Sequence, residues 1–76
     1  MTYDEMADAL EQHLPVAQAE ADKMRGTTPL GYDIGEVANT MDRVIGHAQR
    51  ALQLYRAGEV DGSLIESYAR WYRLVA

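Results

Sequence analysis

Three short strings in this 76-residue chain share one form: Thr2-x-x-Glu5, Asp33-x-x-Glu36 and Ser63-x-x-Glu66. In each, a small oxygen-bearing side chain precedes a glutamate by three positions and opens a run of helically spaced apolar residues. The first side chain accepts a hydrogen bond from an orphan amide of the first helical turn. The glutamate reaches back to the amide of the cap itself. Three such boxes predict three helices.

The apolar spacing agrees. Tyr3, Ala7, Leu10, Leu14, Ala17, Ala21 and Met24 follow one another at intervals 4-3-4-3-4-3, which is a heptad seam. Pro15 interrupts it by removing a backbone donor and crowding the preceding turn. The apolar register runs on unchanged, so one kinked helix over residues 3–25, or two abutting pieces, is expected, with Gly26 as its stop. The second seam is Ile34, Val37, Met41, Val44, Ala48, Ala51 and Tyr55, widened by Ala38, Ile45 and Leu52. It predicts a helix over residues 34–57, capped by Asp33 and ended by Gly58 in the left-handed conformation. Ser63 then opens a third helix, to about residue 75, carrying Leu64, Ile65, Tyr68, Trp71, Tyr72 and Val75. Short connections favour antiparallel neighbours. The expected fold is all-α, a single antiparallel three-helix bundle over residues 1–76, with a long helical hairpin and a short third helix.

The lengths do not match. At about 1.5 Å per residue the two long helices span roughly 33–36 Å and the third about 20 Å. The third helix should lie along Ala48, Ala51, Leu52 and Tyr55 of the second and Tyr3, Ala7 and Leu10 of the first. The other end of the hairpin, with Met24, Ile34, Val37, Ala38 and Met41, is beyond its reach. Either the loop of residues 26–32, with Pro29, Leu30 and Tyr32, folds over that end, or the end docks onto another chain.

Composition narrows the chemistry. The chain has no cysteine, which removes disulfides, thiolate ligands and thiol nucleophiles, and its formal net charge of −5 opposes binding to a phosphate backbone. No apolar run is long enough to span a bilayer, and the acidic start of the chain does not read as a secretory leader, so a cytoplasmic protein with no membrane association is expected. His13 and His47 are the two histidines, and neither has the Glu-x-x-His or His-x-x-x-His spacing of helical metal sites. Both are expected at the edge of the core. Ser63 and Ser67 lack a nearby histidine to activate them. Neither catalysis, nor a metal, nor a cofactor is expected.

The segment from Leu30 through Gly31, Asp33 and Ile34 to Val37 resembles the motif that opens the second helix of acyl carrier proteins. The resemblance covers eight residues. It places Ile34 where that family carries the serine that bears its phosphopantetheine arm, and isoleucine cannot be so modified.

Arginines remain. Arg43, His47 and Arg50 share one face of the second helix, and Arg70 and Arg73 flank Trp71 on the third. They serve either to balance Asp4, Asp8 and Glu11 or as a recognition patch, since arginine and tryptophan dominate protein interfaces. The leading expectation is a small non-enzymatic protein-interaction module: an adaptor, inhibitor or antitoxin-like protein of the kind common in bacterial and phage genomes. Its partner would be another protein, or itself as a homodimer. Its contact residues would be Met24, Leu30, Tyr32, Val37 and Met41 at the uncovered end, with Arg70, Trp71 and Arg73. The alternative is a nucleic-acid-binding regulator that uses Arg43, His47 and Arg50. A third possibility is a small-ligand pocket among Tyr55, Tyr68, Trp71 and Tyr72.

Overall fold

The computed structural model describes residues 1–25 and 34–75. They form three helices, α1 (Tyr3–Arg25), α2 (Ile34–Arg56) and α3 (Ser63–Trp71). The loop of residues 26–32, with Leu30 and Tyr32 and the expected Asp33 cap, lies outside the described residues. α1 and α2 pack as a long hairpin, and α3 lies on both, with more of its contact on α1. The all-α three-helix bundle is as the sequence predicts.

The first capping box forms in full. The Thr2 amide donates to Glu5 Oε1 at 3.0 Å and the Glu5 amide donates to Thr2 Oγ1 at 3.1 Å. α1 then runs through Pro15 as one 23-residue helix. The proline deprives the Glu11 carbonyl of its helical donor, and it does so on the exposed side of the helix, where water reaches it.

The third box does not form. Gly62, not Ser63, is the N-cap of α3, and it makes no side-chain capping bond. Ser63 is instead the first helical residue. Its amide and its hydroxyl both donate to Asp61 Oδ1, at 2.9 and 2.5 Å. Glu66 turns to Arg70, one turn on. An aspartate two positions upstream takes the Ser63 amide that Glu66 would have reached, and so displaces the box.

Two helix ends share one device. Behind α2, Gly58 takes φ 75° and donates to the Tyr55 carbonyl at 3.0 Å, while Glu59 donates to Leu54 at 2.9 Å. Behind α3, Arg73 takes φ 57° and donates to Arg70 at 3.0 Å, while Leu74 donates to Ala69 at 2.8 Å. Both are Schellman turns. The second ends α3 at Trp71 and not at residue 75, because Leu74 and Val75 turn back to pack against the core.

The core draws Met6, Ala7, Leu10, Leu14 and Ala17 from α1, Ile45, Ala48, Ala51 and Leu52 from α2, and Ile65 and Ala69 from α3. Its largest fully buried side chains, Leu10, Ile45 and Ile65, come one from each helix. Past α3 the seam is carried by Ala21 and Ala38, both fully buried. A polar clamp holds the same end. Gln18 donates to Asp42 at 3.0 Å, and Arg25 donates to Asn39 at 3.2 Å and pairs with Asp42.

At the opposite end Arg56 bridges Asp8 at 2.7 Å and Glu11 at 3.2 Å, and the Tyr55 hydroxyl donates to Asp4 at 2.5 Å. This corrects the expectation for the arginines. The acidic stripe of α1 is met by Arg56 and Tyr55, and Arg43, Arg50, Arg70 and Arg73 are left out of it.

Candidate interaction groove

α3 seats Ile65 and Ala69 between α1 and α2, and then its Schellman turn takes the chain off its own track. The seat continues without it. Beyond the end of α3 a cavity of about 240 Å³ is walled by His13, Ala17 and Glu20 of α1 and by Thr40, Met41, Val44 and Ile45 of α2. Trp71 and Tyr72 close its lower end. On the other side of Trp71, Val44, Leu64, Ser67 and Tyr68 bound a second hollow of about 290 Å³. Trp71 stands between the two with 67% of its surface exposed.

The walls are fixed by packing. Tyr72 lies half-buried with its ring 4.9 Å from that of His13, tilted by 56°. Burial and the neighbouring Tyr68 push the Tyr72 phenol above its ordinary pKa. His13, Ala17, Glu20 and Met24 follow one stripe of α1, and Val37, Met41 and Val44 one stripe of α2. The groove therefore leads toward the end of the hairpin away from α3, where Val37 is 50% and Met24 37% exposed. No polar side-chain atom is buried without a partner among the described residues, so nothing in these walls demands a charged ligand.

The residues singled out from the sequence divide three ways. Trp71 and Met41 line the groove, while Met24 and Val37 extend its two walls. Arg70 is tied to Glu66 at 2.8 Å, whereas Arg73 is exposed and its side chain has no partner among the described residues. Leu30 and Tyr32 fall outside those residues. Arg43, His47 and Arg50 are all exposed on α2, with Arg50 reaching Gln53 at 3.5 Å and no ion pair on the other two among the described residues.

The aromatic pocket is not assembled. Trp71 lines both hollows, Tyr72 one and Tyr68 the other, while Tyr55 lines neither. The other wall residues were not anticipated as such. Val44 reads as core from its seam position, and His13 and Glu20 read as edge and solvent. The signal for the α1 wall was the stripe that His13 and Glu20 share with Ala17 at helical spacing.

A wider groove of about 560 Å³ lies on the opposite face of the hairpin, with Leu14 and Leu52 among its lining residues. Those two leucines are already 4% and 8% exposed, and Gln18, Gln49, Gln53 and Arg56 line the same groove. A larger share of that lining is polar than in either hollow beside Trp71. The described residues include no helix long and apolar enough to cross a membrane and no group of three acidic or histidine side chains placed to hold a metal. Comparison with protein-family models, with curated proteins and with solved structures gives no match to this chain.

Proposed function

We propose that the chain is a small, cytoplasmic, non-enzymatic protein-interaction module, of the adaptor, inhibitor or antitoxin kind, that works through the groove headed by Trp71. One observation carries this reading. The only tryptophan in the chain stands 67% exposed between two hollows with apolar walls. A monomer gains nothing from holding an indole in water, and tryptophan is the side chain most enriched among residues that dominate interfaces. Charge near the groove suits the same use: Glu20 on its wall is exposed, as are Arg43 beside Val44 in the chain and Arg73 two residues past Trp71.

The test is retention of a stoichiometric partner by the immobilised chain, compared with Trp71→Ala. The variant should weaken retention by about 30-fold or more, the loss that corresponds to a hot-spot tryptophan. Equal retention by both chains, or no partner for either, counts against the proposal.

A further inference from the structure

We infer that the occupant of the groove is a second copy of this chain, each copy seating its Trp71 between Ala17, Met41 and Val44 of the other. This rests on the interaction-module reading and names the partner. A two-fold interface must offer on one face both a projection and the recess that receives it, because whatever one copy inserts the other inserts in return. Here the two stand side by side. Trp71 projects at the lower end of the recess whose walls are Ala17, Met41 and Val44. Among the described residues, no other exposed large apolar side chain borders both hollows.

The charges on the rim repeat this self-complementarity. Glu20 stands on the α1 wall, and Arg73 follows Trp71 by two residues and is exposed. Neither side chain has a partner within the chain among the described residues. Seating Trp71 in the partner's recess carries Arg73 toward the partner's Glu20, and the symmetry axis makes the same pair a second time. Arg70 does not compete, because Glu66 already holds it through two donors at 2.8 and 3.2 Å.

The experiment is sedimentation equilibrium of the full chain from about 1 µM to about 1 mM, a range that covers weak and moderate self-association. The mass should rise with concentration from 8.5 kDa toward twice that value. Trp71→Ala should weaken association at least about 30-fold. Glu20→Arg alone and Arg73→Glu alone should each weaken it, and Glu20→Arg combined with Arg73→Glu should restore it. All three positions are exposed, so each variant should keep its helical circular dichroism, which is measured alongside. Three results overturn the inference: a monomer throughout the range, a dimer indifferent to Trp71→Ala, or a double reversal no better than the single ones. A monomer whose retained partner is still lost with Trp71→Ala overturns self-pairing alone. A monomer whose partner retention ignores Trp71 overturns the interaction reading as well.

Discussion

The ring of Tyr3 lies against Gly62, so that a Cβ built on that glycine would stand 2.6 Å from the Cβ of Tyr3 and overlap the ring itself. The contact joins the first turn of α1 to the residue that opens α3. Gly62→Ala is expected to destabilise the fold by about 1–3 kcal/mol, the usual cost of overfilling a packed contact. Denaturant unfolding checks this. Adding Tyr3→Ala should recover part of the loss, because the two sites share one space and their effects do not add.

The two capping strings should respond differently to the same change. Thr2→Ala removes a cap that bonds in both directions and should cost about 1 kcal/mol. Ser63→Ala should lie within about 0.5 kcal/mol of the parent, since Ser63 caps nothing. Asp61→Ala should cost more than Ser63→Ala, because Asp61 receives the Ser63 amide. Equal losses at Thr2 and Ser63 in thermal melts would mean that the α3 box forms in solution after all.

Gly58 and Arg73 hold the same left-handed position behind their helices, and only one of them is suited to it. Gly58→Ala should destabilise by about 1 kcal/mol and Arg73→Gly should stabilise by a similar amount. The glycine at position 73 also deletes the charge that meets Glu20. The variant should therefore melt higher and dimerise more weakly. A lower melting temperature for Arg73→Gly would show that the arginine side chain contributes to the monomer fold.

Stability should have both an acid limb and an alkaline limb. The Thr2 amide holds Glu5 below the ordinary carboxylate range, Arg25 and Gln18 do the same for Asp42, and Ser63 does so for Asp61. Near pH 4 the unfolded chain binds protons that the folded chain refuses. These contributions are complete above about pH 5 and are lost as pH falls through the folded values. Tyr55 runs the other way. Its hydroxyl donates to Asp4, which raises its pKa, so its contribution is whole below about pH 9 and fades as pH climbs past about 10. Tyr72, raised by burial, adds to the same limb. Tyr55→Phe should shrink the alkaline limb and leave the acid limb alone, as read from melting temperature against pH.

The seam of α1 was legible because a 4-3 repeat permits one buried face, and Leu10 and Leu14 are buried as that repeat requires; on α2 the buried face turns toward Ala38, Ile45 and Leu52, beside the seam, and leaves Val44 half-buried and Val37 exposed. Gly58 was legible for an equally local reason. The false cap at Ser63 and the early stop at Trp71 were not. The first depends on Asp61, whose competition for the same amide is invisible in a three-residue spacing. The second depends on an arginine accepting a conformation that sequence assigns to glycine, because burying Leu74 and Val75 compensates for it. The groove was half legible. The length mismatch pointed to an uncovered stretch of hairpin, and Trp71 was named as a contact residue. The walls at His13, Glu20 and Val44 emerged only once α3 was seen to stop beside His13.

Among the described residues the upper half of the hairpin is closed by the methyl groups of Ala21 and Ala38 and a polar clamp, while the lower half is closed by three large side chains from three helices. The two halves will not exchange their amide hydrogens alike. Opening the upper half exposes little apolar surface, so residues 17–25 and 34–42 should exchange through local fluctuations that stop near Ile45, and the amides around Leu10 and Ile65 should wait for global unfolding. The groove straddles that boundary. A chain that docks there touches the quiet half through Trp71 and the breathing half through Met41, and its binding energy goes partly into stilling the second.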